Sequence, residues 1–213
     1  MTTPSTSLLV GLSSPISLAL LPYLNAHPSQ TIATTHRTPE EARATLPAAL
    51  LDPIRIVQWN AAHNHPIHLG DWLVTSRPLE RVILTTGQLG PEWVQDSTPA
   101  HSTHTFHVNA LGPMQLLRLI GEWTEKHSHP CHVTILSSVT VAAKRPGQLV
   151  YAAAKAALDR FCDSFSSEYP RCHIHIIRLG WVKTPMTHGR SIPWMTIDPT
   201  RVAKRIWHGI QGQ

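Results

Sequence analysis

The chain has 213 residues, of which 42% are hydrophobic and 15% charged, and its net charge is +5 with histidine counted as neutral. This length and composition predict one globular domain with a sizeable core and exclude a disordered chain. The basic residues are scattered along the chain, which argues against nucleic-acid binding and favours an anionic small molecule as the partner.

The sequence shows no sign of a membrane span or a secretory leader. No apolar run reaches the roughly 18 residues that a membrane helix needs, and the first basic residue is Arg37. The three cysteines have no paired short spacing, which favours reduced, buried thiols: Cys131, Cys162 and Cys172. We therefore expect a cytoplasmic protein without a membrane partner.

Apolar strand-like runs alternate with helical segments along the chain. Strands are predicted at 7–12, 31–35, 54–59, 81–86, 132–137 and 173–179, and helices at 15–25, 40–46, 104–126, 150–169 and 201–210. This alternation predicts βαβ units, a parallel sheet and an α/β doubly wound fold that occupies residues 1–213 as a single domain. Periodicity is poor between residues 61 and 79, and no element is predicted there.

The residues with the clearest chemical pattern lie between the fifth strand and the following helix. Ser138 ends the strand, Pro146-Gly147 follows, and Tyr151 and Lys155 lie four residues apart on one face of the helix. Ser138 precedes Tyr151 by 13 residues. For an isolated Tyr/Lys pair the plain alternative is a helix cap and a solvated lysine, but the serine and Pro-Gly in register favour a functional set.

This combination resembles the active-site signature of the short-chain dehydrogenase/reductase family, and the resemblance extends from about residue 8 to residue 186. It implies a Rossmann-like, three-layer α/β/α fold and hydride transfer between a nicotinamide nucleotide and a carbonyl or alcohol. Tyr151 is then the acid/base, Lys155 the cation that lowers its pKa and a ribose ligand, and Ser138 the clamp on the substrate oxygen. Asn109, in the helix after strand four, resembles the family's asparagine that supports the lysine through a water-linked proton path.

The turn that should bind the pyrophosphate departs from the family pattern. The family has Thr-Gly-x-x-x-Gly-x-Gly, whereas residues 10–17 read Val-Gly-Leu-Ser-Ser-Pro-Ile-Ser, so only Gly11 matches. The hydroxyls of Ser13 and Ser14 can replace the lost contacts, Pro15 removes one backbone donor, and Ser17 adds bulk where helix and cofactor meet. We expect weakened binding or a displaced phosphate.

Other residues that resemble cofactor contacts follow the strands. The second strand ends without an acidic residue and is followed by Arg37, a partner for a 2′-phosphate, which predicts NADP(H) rather than NAD(H). Asn60 stands where the family has an aspartate near the adenine, and Gly87 retains the turn glycine after strand four. The loop after strand six resembles Pro-Gly-x-Val-x-Thr-Pro-Met and supplies the expected nicotinamide contacts Gly180, Val182 and Thr184.

Only 33 residues follow Gly180, fewer than the family commonly has. We therefore expect six strands, and a small or open substrate pocket for an apolar substrate under a lid formed by Met186, Ile192, Pro193, Trp194 and Met195. The resemblance also implies a homodimer or homotetramer built on the helices at 104–126 and 150–169.

Histidine is abundant, with 15 residues, and two groups have short spacings: His63, His65 and His68, and His101, His104 and His107. No cysteine or acidic residue lies at a matching spacing, so we predict no metal site. The favoured function is an NADP(H)-dependent oxidoreductase. The alternative is a catalytically weak or inactive protein of the same fold that acts as a nucleotide sensor, scaffold or partner subunit, which the altered phosphate turn favours.

Overall fold

A parallel sheet forms the centre of the molecule in the computed structural model, which describes residues 5–63, 69–73, 77–91, 94–143, 145–189 and 193–211. Its strands are β1 (Thr6–Val10), β2 (Gln30–Thr35), β3 (Arg55–Gln58), β4 (Leu79–Leu84), β5 (Cys131–Ser138) and β6 (Cys172–Leu179). Their order in the sheet is β3-β2-β1-β4-β5-β6, and every paired strand is parallel. The predicted six-stranded, doubly wound fold is confirmed.

Helices connect the strands. They are α1 (Pro15–Ala26), α2 (Pro39–Thr45), α3 (Ala48–Leu51), α4 (Leu69–Trp72), α5 (Pro99–Phe106), α6 (Gly112–His127), α7 (Leu149–Glu168) and α8 (Pro199–Gln211). Short α3 and α4 were not predicted. Among the described helices, none has the length and apolarity needed to cross a bilayer.

Alternate residues of the strands face two different helical layers because side chains alternate along a strand. On one face, Leu8 of β1 belongs to a buried apolar cluster that includes Leu116 of α6 and Leu158 of α7. On the other face, Leu9 belongs to a second cluster that includes Leu20 of α1 and Val202 of α8. The predicted three-layer α/β/α arrangement follows from this two-sided burial. All three cysteines are buried free thiols.

The long helix predicted at 104–126 is found as an uninterrupted helical stretch, but it begins at Pro99 and consists of α5, a π-helical turn (His107–Leu111) and α6. The amide of Gly112 donates to the carbonyl of His107, five residues earlier. Pro113 has no amide hydrogen to donate to the carbonyl of Asn109, four residues earlier, so the regular α-helical ladder is interrupted here. The wide turn therefore forms around Asn109, one of the predicted site residues.

Gly112 is needed for the close approach of α6 to the loop after β3. A Cβ atom at this position would lie 2.4 Å from the carbonyl oxygen of Ala61 and 2.9 Å from its Cα. Both are backbone atoms, so a side chain at residue 112 cannot be accommodated by a rotamer change.

Gly112→Ala is therefore expected to lower the free energy of unfolding by about 1–3 kcal/mol, the usual cost of overpacking. Gly209→Ala is the matched control, because a Cβ there meets nothing within 4 Å and alanine is the better helix former in α8. Urea unfolding of the two variants and the parent chain measures both effects. Equal midpoints for the two variants would contradict the packing argument.

Candidate active site at the carboxyl ends of the strands

A cavity of about 510 Å³ lies at the carboxyl ends of the strands, where ligands bind in open α/β sheets. Residues at or just after the end of each strand line it: Gly11, Thr35, Trp59, Thr85, Ser138 and Leu179. The cavity thus extends along the whole width of the sheet. Its volume falls within the range of ordinary ligand pockets.

The turn after β1 requires glycine at residue 11. Gly11 has φ of +98°, and a Cβ there would lie 2.8 Å from Oγ1 of Thr85. Oγ1 of Thr85 donates to the carbonyls of Val10 (2.9 Å) and Gly11 (3.1 Å), so the threonine joins the ends of β1 and β4. The hydroxyl of Thr85 therefore connects the ends of the two strands.

The prediction that Ser17 adds bulk beside the cofactor is wrong. Its side chain is fully buried, its hydroxyl donates to the carbonyl of Gly11 at 2.8 Å, and it lies 2.6 Å from Oγ1 of Thr85. Because the side chain turns toward the sheet, Ser17 is not among the residues that line the cavity.

Most backbone donors of the phosphate turn are already used. The amide of Ser14 donates to the carbonyl of Gly11 at 3.0 Å, and the amide of Ile16 donates to Oγ of Ser14 at 3.3 Å. Pro15 has no amide hydrogen. Ser13, Ser14 and Pro15 all line the cavity, so serine hydroxyls face the place where the family binds pyrophosphate, but few backbone N–H groups remain free.

The residues after β2 and β3 line the far end of the cavity, with one exception. Thr35, His36 and Asn60 are in the lining, whereas Arg37 is not. The guanidinium of Arg37 donates to Oγ1 of Thr45 at 3.1 Å, along the exposed side of α2. Oδ1 of Asn60 accepts a hydrogen bond from the amide of Ala62 at 2.9 Å, which shapes the loop.

Ser138, Tyr151 and Lys155 come together at the other end of the cavity, as predicted, and all three line it. Oγ of Ser138 accepts hydrogen bonds from the amide of Thr140 (3.2 Å) and from its hydroxyl (2.9 Å). These contacts orient the serine oxygen and leave its own proton free to donate. Tyr151 lies in the first turn of α7 and Lys155 one turn later.

The pKa of the Tyr151 phenol is not shifted in the direction that the sequence predicts. Burial raises its pKa above the ordinary value, and only a hydrogen bond with the side chain of Ser138 opposes this rise. The prediction that Lys155 lowers this pKa is wrong for the chain without a bound nucleotide. The ammonium group donates to backbone carbonyls instead. The protonated phenol is therefore the favoured form near neutral pH.

The ammonium group of Lys155 is buried, with 3% of the residue exposed. It donates to the carbonyls of Thr86 at 3.1 Å and Leu136 at 3.0 Å, which lie beyond β4 and within β5. Burial lowers its pKa to about 8, against the opposing effect of the Asp159 carboxylate one turn further along α7. Asp159 in turn accepts a hydrogen bond from Nε of Arg178 at 2.8 Å.

Asn109 is fully buried beside Gly87 and does not line the cavity. Its Nδ2 donates to the carbonyls of Gln88 (2.7 Å) and Thr105 (2.8 Å), and its Oδ1 accepts from the amide of Gln88 (3.1 Å). A Cβ at Gly87 would lie 3.3 Å from Oδ1 of Asn109 and 3.7 Å from Nζ of Lys155. Asn109 thus fixes the loop against which the lysine packs.

The loop after β6 brings Gly180, Val182 and Thr184 to the cavity, as the sequence predicts. Backbone hydrogen bonds hold it: the amide of Lys183 donates to the carbonyl of Ile197, and the amide of Ile197 donates to the carbonyl of Trp181, both at 2.9 Å. Thr184 begins the short turn Pro185–Thr187.

The predicted lid is only partly found. Met186 lines the cavity, whereas Trp194 and Met195 are 86% and 51% exposed and do not line it. Pro193 begins the 3-10 turn Pro193–Met195, and Ile192 lies outside the described residues. In the structure, one apolar side chain of the predicted lid contributes to the cavity.

The histidines of the two short-spaced groups do not assemble a metal site in the described part of the chain, where no cluster of three metal-binding side chains occurs. The side chain of His101 completes the capping box of α5 with Thr98, and Nε2 of His104 lies 2.8 Å from Oε1 of Gln88. His65 and His68 lie outside the described residues.

Sequence reasoning missed several polar or aromatic residues of the lining, among them His104, Arg145, Gln148 and Trp181. Arg145 and Gln148 lie in the connection between Ser138 and Tyr151, so their position between two predicted catalytic residues was a usable signal. His104 gave none, because it was assigned to the start of the helix predicted at 104–126.

Comparison with known proteins decides the family. A family model described as short chain dehydrogenase matches residues 8–192 of the chain. The chain belongs to the short-chain dehydrogenase family. Uncharacterized oxidoreductases of Mycobacterium bovis and Mycobacterium tuberculosis are 33% identical to it over 104 residues, which is 46% of this chain but only 30% of those proteins.

Solved structures of this family share the fold. A short-chain dehydrogenase from Streptomyces avermitilis superposes with a TM-score of 0.81 at 20% identity, over 97% of this chain and 84% of that one. A short chain dehydrogenase from Burkholderia cenocepacia, solved in complex with NADP, superposes with a TM-score of 0.82 at 14% identity. The match covers 99% of this chain and 86% of that one. A 4-hydroxyisoleucine dehydrogenase complexed with NADH superposes with a TM-score of 0.83 at 16% identity. The match covers 97% of this chain and 90% of that one.

The buried lysine of this short-chain dehydrogenase makes its stability depend on pH. The pKa of Lys155 is about 8 when folded and near 10.5 when unfolded, so between these values the unfolded chain binds more protons and stability rises with pH. Relative to Lys155→Met, the parent chain is expected to gain up to about 3 kcal/mol between pH 8 and 10.

Urea unfolding of both proteins at several pH values measures this gain. Lys204→Met, which removes an exposed lysine of α8, is the matched control. A constant difference between the parent chain and Lys155→Met at all pH values contradicts the assignment of a depressed lysine pKa.

Proposed function

We propose that the chain is an NADP(H)-dependent oxidoreductase that interconverts a carbonyl and an alcohol, with Tyr151 as the acid/base. The observation that carries this proposal is the convergence of the Tyr151 phenol, the Ser138 hydroxyl and the Lys155 ammonium on one end of a crevice at the carboxyl ends of the strands. A scaffold has no need for a buried ammonium beside a buried phenol, since both are costly to bury. Such perturbed groups in a cleft are typical of catalytic sites.

The residues of the crevice fit a dinucleotide unevenly. At the reaction end, Gly87 leaves room beside Lys155, and Tyr151, Lys155, Gly180, Val182 and Thr184 are available to ribose and nicotinamide. At the phosphate turn, Gly11 allows close approach and the hydroxyls of Ser13 and Ser14 are the available ligands. When bound, the nucleotide supplies or accepts the hydride.

In the reducing direction, the chain's own groups complete the reaction. Ser138 donates a hydrogen bond to the substrate oxygen, because its own oxygen already accepts two hydrogen bonds from Thr140. The raised pKa of Tyr151 keeps the phenol protonated, so it can give its proton to that oxygen as the carbonyl carbon gains the hydride. The C=O double bond becomes a C–O single bond, with a new C–H bond at the carbon and a new O–H bond at the oxygen. The phenolate left behind regains a proton from solvent.

Lys155 and Asn109 have positioning roles in this proposal. Lys155 holds α7 against the carbonyls of Thr86 and Leu136 and so positions the phenol one helical turn before it. Asn109 fixes the loop after β4, against which the lysine packs, through the hydrogen bonds between its side chain and the backbone of Gln88. The single domain over residues 1–213, the cytoplasmic location and a homodimer or homotetramer belong to the same proposal.

Tyr151→Phe is expected to lower kcat for carbonyl reduction by about 10²–10⁴-fold, because the proton donor is removed, while nucleotide affinity changes little. The control is Tyr169→Phe, which removes a phenol at the opposite end of α7. Steady-state rates with NADPH and a panel of aldehydes and ketones measure the loss. Equal rates for Tyr151→Phe and the parent chain would reject Tyr151 as the acid.

The preference for NADP(H) rests on charge. No acidic side chain lines the described cavity, and Arg37, two residues after Thr35, needs to break only one exposed hydrogen bond to Thr45 to reach a 2′-phosphate. His36, which lines the cavity between them, adds a second group able to carry positive charge.

Arg37→Gln is accordingly expected to raise the Kd for NADPH by about tenfold, the cost of a charge-assisted hydrogen bond, and to leave the Kd for NADH within about twofold. Titration calorimetry measures both constants, with Arg201→Gln on the exposed face of α8 as the control. Equal changes for the two nucleotides would exclude a 2′-phosphate contact.

The alternative, a nucleotide sensor or scaffold of the same fold, is favoured by one observation: the backbone donors of the phosphate turn are occupied by Gly11 and Ser14. The same measurements separate the functions. Nucleotide binding with turnover supports the enzyme, binding without turnover supports the sensor, and no binding supports the scaffold.

A further inference from the structure

One cationic side chain of the crevice has no role in the proposed chemistry. Arg145 lies in the connection between β5 and α7, is partly buried and lines the cavity. Its guanidinium carbon lies 5.4 Å from the ring centroid of Trp181, which follows β6 and also lines the cavity. This cation–π contact joins the two loops that flank Ser138 and Tyr151 and fixes the plane of the guanidinium.

The donors of Arg145 are unused within the described part of the chain, where this stacking on Trp181 is its one recorded contact. The described lining contains no carboxylate at all. The ammonium of Lys155, which also lines the cavity, already donates to the carbonyls of Thr86 and Leu136. A planar group with its N–H edge free, in a cavity without acidic side chains, is suited to bind a carboxylate through two parallel hydrogen bonds.

The position of Arg145 separates it from the phosphates of a bound nucleotide. The pyrophosphate turn follows β1, and the order β1-β4-β5-β6 puts the gap between β5 and β6 about two and a half strand spacings away, roughly 12 Å. The 2′-phosphate end, beyond β2, is farther still. Arg145 shares its connection with Ser138 and Gln148, so it faces the reacting end of the crevice.

We propose that Arg145, held by Trp181, is the anion anchor of the substrate site and that the substrate is a carbonyl compound, or its alcohol, bearing a carboxylate. This inference rests on the proposed function and refines it. The apolar substrate expected from the sequence becomes a molecule with an apolar body, in contact with groups such as Met186, and an anionic end. Arg145 is then a specificity-determining residue rather than an acid or base.

Matched acids and esters test the anchor. Phenylglyoxylate, 3-benzoylpropionate and 4-acetylbenzoate place the carboxylate at three distances from the ketone, and the methyl ester of each removes only the charge. With NADPH, at least one acid is expected to exceed its ester in kcat/KM by about tenfold or more, the range expected for charge-assisted hydrogen bonds. Arg145→Gln is expected to abolish that preference.

The control is Arg160→Gln, which removes a guanidinium from the exposed face of α7, where Arg160 lies 3.8 Å from Asp163. This variant retains the preference for the acid if the effect is local. Where any of the compounds is reduced, acids that are turned over no faster than their esters overturn the proposal, and so does an Arg145→Gln variant that loses NADPH affinity but keeps the acid-to-ester ratio.

Calorimetric titration of the same acids and esters, in the presence of excess NADP⁺, separates failure of the anchor from failure of the proposed function. Acid binding about tenfold tighter than ester binding supports the anchor if this difference is lost in Arg145→Gln. It does so even when no compound is turned over, and in that case only the proposed catalytic function fails. Equal binding of acids and esters by the parent chain overturns the anchor whether or not reduction occurs.

Discussion

A buried ammonium group held by two backbone carbonyls is the contact on which the active site depends. Lys155 joins α7 to the segments at the ends of β4 and β5 through the carbonyls of Thr86 and Leu136. Because Tyr151 precedes it by one helical turn, these two hydrogen bonds also set where the phenol lies relative to Ser138. The low dielectric that makes the lysine costly to bury also strengthens these two hydrogen bonds.

The phosphate turn shows how the chain preserves backbone shape after the family's glycines have changed. The hydroxyls of Ser17 and Thr85 both bind the carbonyl of Gly11 and lie 2.6 Å from each other, so the tight turn is stabilised by side chains. A turn stabilised in this way keeps its geometry without a bound phosphate. The consequence is that affinity must come from hydroxyls and from the remainder of the crevice, since the backbone amides of the turn already have acceptors.

Features that depend on a local sequence pattern could be predicted from the sequence. Features that depend on burial or on contacts with other elements could not. The six strands follow from apolar runs, and Ser138, Tyr151 and Lys155 follow from spacing within one strand-helix connection. The π-helical turn before Pro113 was hidden because helical periodicity continues on both sides of it, although Pro113 was a visible signal. The direction of Arg37 depends on Thr45 of α2, and the pKa of Tyr151 depends on burial, neither of which spacing reveals.

The residues proposed for the chemistry and the residue proposed for substrate specificity lie on different parts of the fold. Ser138 ends β5, and Lys155 donates to Leu136 within β5 and to Thr86 just after β4, so both side chains are held by the sheet. The connection from 139 to 148 contributes Arg145 and Gln148 to the lining but no residue to the sheet. A substitution in this connection can therefore change which molecule fits against the phenol while leaving the phenol in place. A stacked arginine is well suited to that role, because the indole of Trp181 orients its donors without using any of them.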